Sequence, residues 1–83
     1  MKGDGYIIEK DHLENKVVGI ASADYPVEFK LYDDDGELYF SGKMKQELYE
    51  SPKIFNPLDD TMDSHGCTFL EVKNPKTGKW KII

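Results

Sequence analysis

The sequence predicts a mainly β, α+β domain: an antiparallel sheet or small open barrel of about six strands in three hairpins, with one short helix. Two observations carry this expectation. Apolar and polar residues alternate with period two on both sides of turn-forming strings, as half-buried strands require. One segment, Asn56-Pro57-Leu58-Asp59-Asp60, has the composition of a helix start, and Gly66 is a natural stop. With 83 residues the chain is read as one small globular domain, residues 1–83, with a single thin core.

The first hairpin pairs residues 6–9 with 16–21, two runs rich in β-branched side chains across a polar stretch. Gly19 weakens the second run and hints at a bulge or a close approach of another segment. The second hairpin, 27–32 with 37–43, has the clearest signal. Val27, Phe29 and Leu31, then Leu38 and Phe40, form the expected core face on either side of the Asp-Gly turn. Met44 to Tyr49 has room for a helical turn or two before Ser51-Pro52 stops it. The helix is expected near 57–64, with Asn56 as cap and with Leu58 and Met62 facing the sheet together. The third hairpin joins 67–73 to 79–83 through Asn74-Pro75-Lys76-Thr77-Gly78. Its alternation points Trp80 inward and Lys79 and Lys81 outward, and it makes Ile82 and Ile83 part of the strand.

Charge is unevenly distributed. Residues 72–83 hold four lysines and no acid, so the rest of the chain carries −9 to give the overall net charge of −5. All 11 basic residues are lysines. Arginine, the planar bidentate partner of phosphate and guanine, is missing, which disfavours nucleic acid as a partner. Cys67 is the only cysteine, so no internal disulfide is available, and a cytoplasmic location is expected. The N-terminal Met1–Gly5 stretch reads as neither leader nor lipidation site, and no apolar run is long enough to span a bilayer, so no membrane role is expected.

Three candidate chemistries stand out. Asp33-Asp34-Asp35-Gly36-Glu37 places four carboxylates in five residues, a composition that suits Ca²⁺. The EF-hand spacing fails, however, because its first and last ligand positions fall on Leu31 and Gly42. A solvated hairpin turn is the better account. The cluster Asp59, Asp60, Asp63, His65 and Cys67 contains zinc-competent types, yet lacks the paired ligands of a structural zinc site. Cys67 with His65 or His12 lacks the orienting group and oxyanion hole of a nucleophilic centre. No catalytic, cofactor or metal residues are therefore assigned.

The function expected is a small non-catalytic protein-interaction module. Its partner is an unidentified protein or a second copy of the chain, with Tyr32, Asp33, Asp34, Asp35, Glu37, Tyr39, Lys79 and Lys81 as the contacts. One alternative is a small metal-binding protein or enzyme built on Asp59, Asp63, His65 and Cys67. Another is an acidic inhibitor of the phage type that mimics nucleic acid. The lysine stripe of the last hairpin reads by default as a solvated strand face; a second use would be pairing with the acidic turn at 33–37, within one molecule or between two.

Overall fold

The computed structural model describes residues 2–83. Its elements are β1 (Lys2–Gly3), β2 (Tyr6–Asp11), β3 (Lys16–Val17), β4 (Val27–Tyr32), β5 (Leu38–Met44), α1 (Gln46–Tyr49), a 3-10 turn (Pro52–Phe55), α2 (Asn56–His65), β6 (Phe69–Lys73) and β7 (Trp80–Ile82). Six strands follow one another in the order β1-β2-β5-β4-β6-β7, and β3 pairs with β2 off this path. Every pairing is antiparallel. The sheet is open, so the expected mainly β domain with one short helix takes the sheet form rather than the barrel.

One face of the sheet carries the core. Tyr6, Ile8, Val27, Phe29, Leu31, Phe40, Met44, Leu70 and Val72 are buried there with Leu48, Leu58 and Cys67 from the helical segment and the loop after it. The other face is open and presents Lys10, Ser41, Lys30, Glu71 and Ile82 as one row across five strands. At the centre of the sheet Gly42 lies opposite both Ile8 and Phe29. A Cβ on Gly42 would meet the Ile7 carbonyl oxygen at 2.1 Å, so only glycine permits this approach of β2 to β5.

Several expectations are corrected by tertiary packing. The 16–21 strand shortens to Lys16–Val17. The register of β2 shifts between Ile8 and Lys10, and the Glu9 carbonyl at that bulge accepts both Val18 N–H and Gly19 N–H. The Glu9 carboxylate accepts Ala21 N–H at 3.1 Å, so the chain turns off the sheet here and Ile20 stays 85% exposed. A second register shift, between Leu31 and Tyr32, sets Leu38 opposite Tyr32 on the open face. Leu38 is half-buried there, and Tyr39 packs against the core instead. Asn56 is not the helix cap: the 3-10 turn runs straight into α2, so Asn56 is itself helical and Phe55 takes the cap position. Met62 is 44% exposed, whereas Pro57, Leu58 and Thr61 face the sheet. Gly66 ends the helix at φ 74°, as expected. Trp80 does not point into the core. It lies opposite Lys73 on the open face, where the Lys30 ammonium sits 4.2 Å from its ring centroid.

Two phenols tie elements together. Tyr6 Oη donates to Asp60 Oδ2 at 2.6 Å, linking β2 to α2, and Tyr32 Oη donates to Glu71 Oε1 at 2.7 Å, linking β4 to β6. Burial, then the bonded carboxylate, raises the pKa of both, and Tyr32 is pushed up to about 12. In the unfolded chain both phenols ionise near 10. Between that pH and the folded values, the native state binds more protons than the unfolded one, so stability falls as pH rises. The contribution is complete below about pH 10 and is lost as pH climbs through the folded values. Urea midpoints recorded from about pH 8 to about pH 12 are expected to drop above pH 10. The double variant Tyr6→Phe/Tyr32→Phe should drop less steeply, and parallel profiles would refute the assignment.

Candidate functional site

The acidic turn is organised by Asp33. Its Oδ1 accepts Asp35 N–H at 2.9 Å and Glu37 N–H at 2.8 Å, its carbonyl accepts Gly36 N–H, and Gly36 adopts φ 81°. The neighbouring Asp33 carboxylate, then burial, raises the Tyr39 pKa, and Tyr39 packs against the core. Asp33 and Tyr39 are thus used within the fold. Asp34, Asp35 and Glu37 are exposed, and Asp34 and Asp35 border a shallow groove with Tyr32, Phe69, Glu71 and Ile82 on the open face.

The residues of the metal or enzyme alternative do not converge. Among the described residues, no group of three or more His, Cys, Asp or Glu side chains is placed to hold a metal ion. Asp59 and Asp63 are exposed on α2, and His65 hydrogen-bonds Ser64 while its ring meets Phe40 edge-on. Cys67 is fully buried. Burial pushes its thiol pKa up, the nearby Thr61 hydroxyl works in the opposite direction, and the Asp33 charge adds to the rise. Such a thiol is protonated at neutral pH and is a weak nucleophile. His12 is engaged elsewhere, with Nε2 2.8 Å from Ser41 Oγ on the open face. Burial, then Lys10 and Lys30, lowers its pKa, although Asp11 acts the other way.

Lys79 and Lys81 lie at and beside the free border of the sheet. The bond from Asn74 N–H to the Lys79 carbonyl (2.8 Å) and that from Ile83 N–H to the Leu70 carbonyl (3.0 Å) set the phase of the β6–β7 ladder. Lys81, opposite Val72, is then the β7 residue that exchanges hydrogen bonds with β6. The N–H and C=O groups of Trp80 and Ile82 consequently point away from the sheet, along an edge that no described strand covers.

Beside this edge, on the core side, a groove of about 470 Å³ is lined by Tyr49, Ile54, Val72, Asn74, Thr77, Lys79, Lys81 and Ile83. Tyr49 and Ile54 are packed against the core from α1 and the 3-10 turn, and they form one wall. Ile82 and Ile83, though held in the ladder, stay 58% and 37% exposed. The lysines do not reach the acidic turn. Among the described residues the ion pairs are Lys16–Glu14, Lys43–Glu9 and Lys73–Glu28, so the alternative of an intramolecular pairing with the acidic turn is not made.

No protein-family model, curated protein or solved structure significantly matches this chain. Its functional reading therefore stands on its own geometry. Of the expected contacts, Lys79 and Lys81 fall on the edge and groove, Tyr32, Asp34 and Asp35 on the open-face hollow, Asp33 and Glu37 in the turn, and Tyr39 on β5 against the core. Sequence reasoning missed Tyr49, Ile54 and Ile83. The signal for Ile83 was present in its spacing from Lys81, but the other two join the site only through the path of the helical segment.

Proposed function

We propose that this chain is a small, non-catalytic protein-interaction module that adds an extended segment of a partner protein to its sheet along β7. The observation that supports this reading is the outward row of backbone groups on Trp80 and Ile82, on a strand bordered by an apolar groove. Main-chain hydrogen bonds supply affinity in such pairing, and side-chain hollows on either face supply selection. A net charge of −5 without arginine argues for protein rather than nucleic acid as partner. The free, buried thiol of Cys67 fits a reducing, cytoplasmic setting.

A second copy of the chain is a poor occupant of this edge. Antiparallel self-pairing centred on β7 sets Lys81 against Lys81, or against Lys79 when shifted, and like charges directly opposite destabilise a pair. A different polypeptide is the better fit.

The test uses Ile82→Pro. The Ile82 N–H points outward, so proline removes a donor needed by the added strand and none used by β6. Linear peptides selected from a phage-displayed random library on the full chain should bind this variant about tenfold more weakly, while its melting temperature stays within a few degrees of the parent. Equal binding to both proteins would overturn the reading.

A further inference from the structure

We infer that the segment received along β7 is acidic and seats a large apolar side chain in the groove of Tyr49, Ile54, Val72 and Ile83, with a neighbouring carboxylate on Lys79 and Lys81. This rests on the edge-pairing reading and specifies its partner. Side chains of an added strand alternate between the two faces. Those opposite Lys81 share its face, which is the face of Val72 and hence of the groove. Residues two apart on the incoming strand therefore fall on this same side, one able to occupy the hollow while the next lies over its rim.

The chemistry of the hollow selects the occupant. Its walls are an aromatic ring and three aliphatic side chains together with the polar Asn74 and Thr77, and a volume of about 470 Å³ accommodates an aromatic or leucine side chain with space remaining. Its ionic rim has one sign: Lys79 and Lys81 line it, and no acidic side chain does. Neither lysine has an ion-pair partner among the described residues. The wider segment 72–83 carries four lysines and no acid, so the fixed charge on the groove side of this edge is positive, while Asp34, Asp35 and Glu71 lie on its open-face side. An acidic strand meets complementary charge here, whereas a basic one meets repulsion.

The test uses the same phage-selected linear peptides on the full chain and the double reversal Lys79→Glu/Lys81→Glu. Selected peptides are expected to share an acidic residue two positions from a large apolar one. Their affinity should fall about tenfold in the reversal variant and recover partly in Lys79→Gln/Lys81→Gln. Both variants change exposed side chains, and a melting temperature near the parent's confirms that the groove is intact. Peptides that lose affinity for Ile82→Pro but show no acidic enrichment and ignore the charge reversal would sink this inference and leave edge pairing standing. Peptides indifferent to Ile82→Pro, or a library that yields no binder, would overturn both.

Discussion

Replacing Gly42 with alanine is expected to cost about 3 kcal/mol of stability, because the added methyl has no free volume to enter. The built Cβ falls 2.1 Å from the Ile7 carbonyl oxygen and 3.0 Å from the Ile7 carbonyl carbon and Ile8 Cα, all of them backbone atoms. A flexible side chain can swing aside, but a backbone in a paired strand cannot. Relief requires β2 and β5 to separate, which stretches the ladder that joins the N-terminal strands to the rest of the sheet. At about 4–8 °C per kcal/mol for a domain of this size, the melting temperature should fall by about 12–24 °C. Gly36→Ala is the informative contrast. Nothing lies within 4 Å of its Cβ, and its φ of 81° leaves only the left-handed backbone penalty, about 1 kcal/mol. Thermal melts followed by far-UV circular dichroism should rank the two in this order. A Gly42→Ala melt within a few degrees of the parent would show that β2 and β5 are not held so close.

What was legible in the sequence was what local chemistry dictates. The hairpin of β4 and β5 was readable because its turn is built from its own residues, with Asp33 satisfying the N–H groups of Asp35 and Glu37. The same is true of the Gly66 stop, which needs only a left-handed φ. Errors arose where a distant group decided the outcome. Alternation alone could not place Trp80, because the face of β7 is set by its register on β6, with Val72 taking Lys81 as partner. Met62 has the right spacing for a core residue, yet Thr61 takes the inward position and donates to the Pro57 carbonyl at 2.8 Å. Strand order, with β5 lying between β2 and β4, depends on pairings remote in sequence that no single string encodes.

The candidate site divides along the same line. Lys79 and Lys81 were visible as a charge pattern. The apolar hollow that gives them a purpose is assembled from α1, the 3-10 turn and the last two strands, and only folding brings these together. Conversely, the acidic turn drew attention by density of charge, although its first aspartate is a structural acceptor. Composition locates charge, but topology decides which charges remain available to a partner.

Phe29→Ala is expected to be the most damaging single truncation, at about 3–5 kcal/mol, a large part of the 5–15 kcal/mol that holds a typical domain. Phe29 is 1% exposed on β4, between β5 and β6, opposite Gly42 on one side and Val72 on the other. Because Gly42 contributes no side chain, the Phe29 ring fills that part of the core, and the surroundings have little with which to close the cavity. The ring also meets Tyr6 in an edge-on contact, with centroids 6.0 Å apart, and Tyr6 in turn holds α2 through Asp60. Losing the ring should therefore loosen α2 as well as the sheet. Urea unfolding should show a much lower midpoint, and near-UV circular dichroism should show weakened tyrosine bands. A loss below about 1 kcal/mol would mean that the core collapses onto the gap far more readily than close packing permits. The consequence reaches the interaction edge, because Val72 is both the cross-strand neighbour of Phe29 and part of the groove lining. At a temperature where the variant is still folded, peptide affinity should decline although no residue at the β7 edge has changed. Unaltered affinity would indicate that the groove is held by β6 and β7 alone.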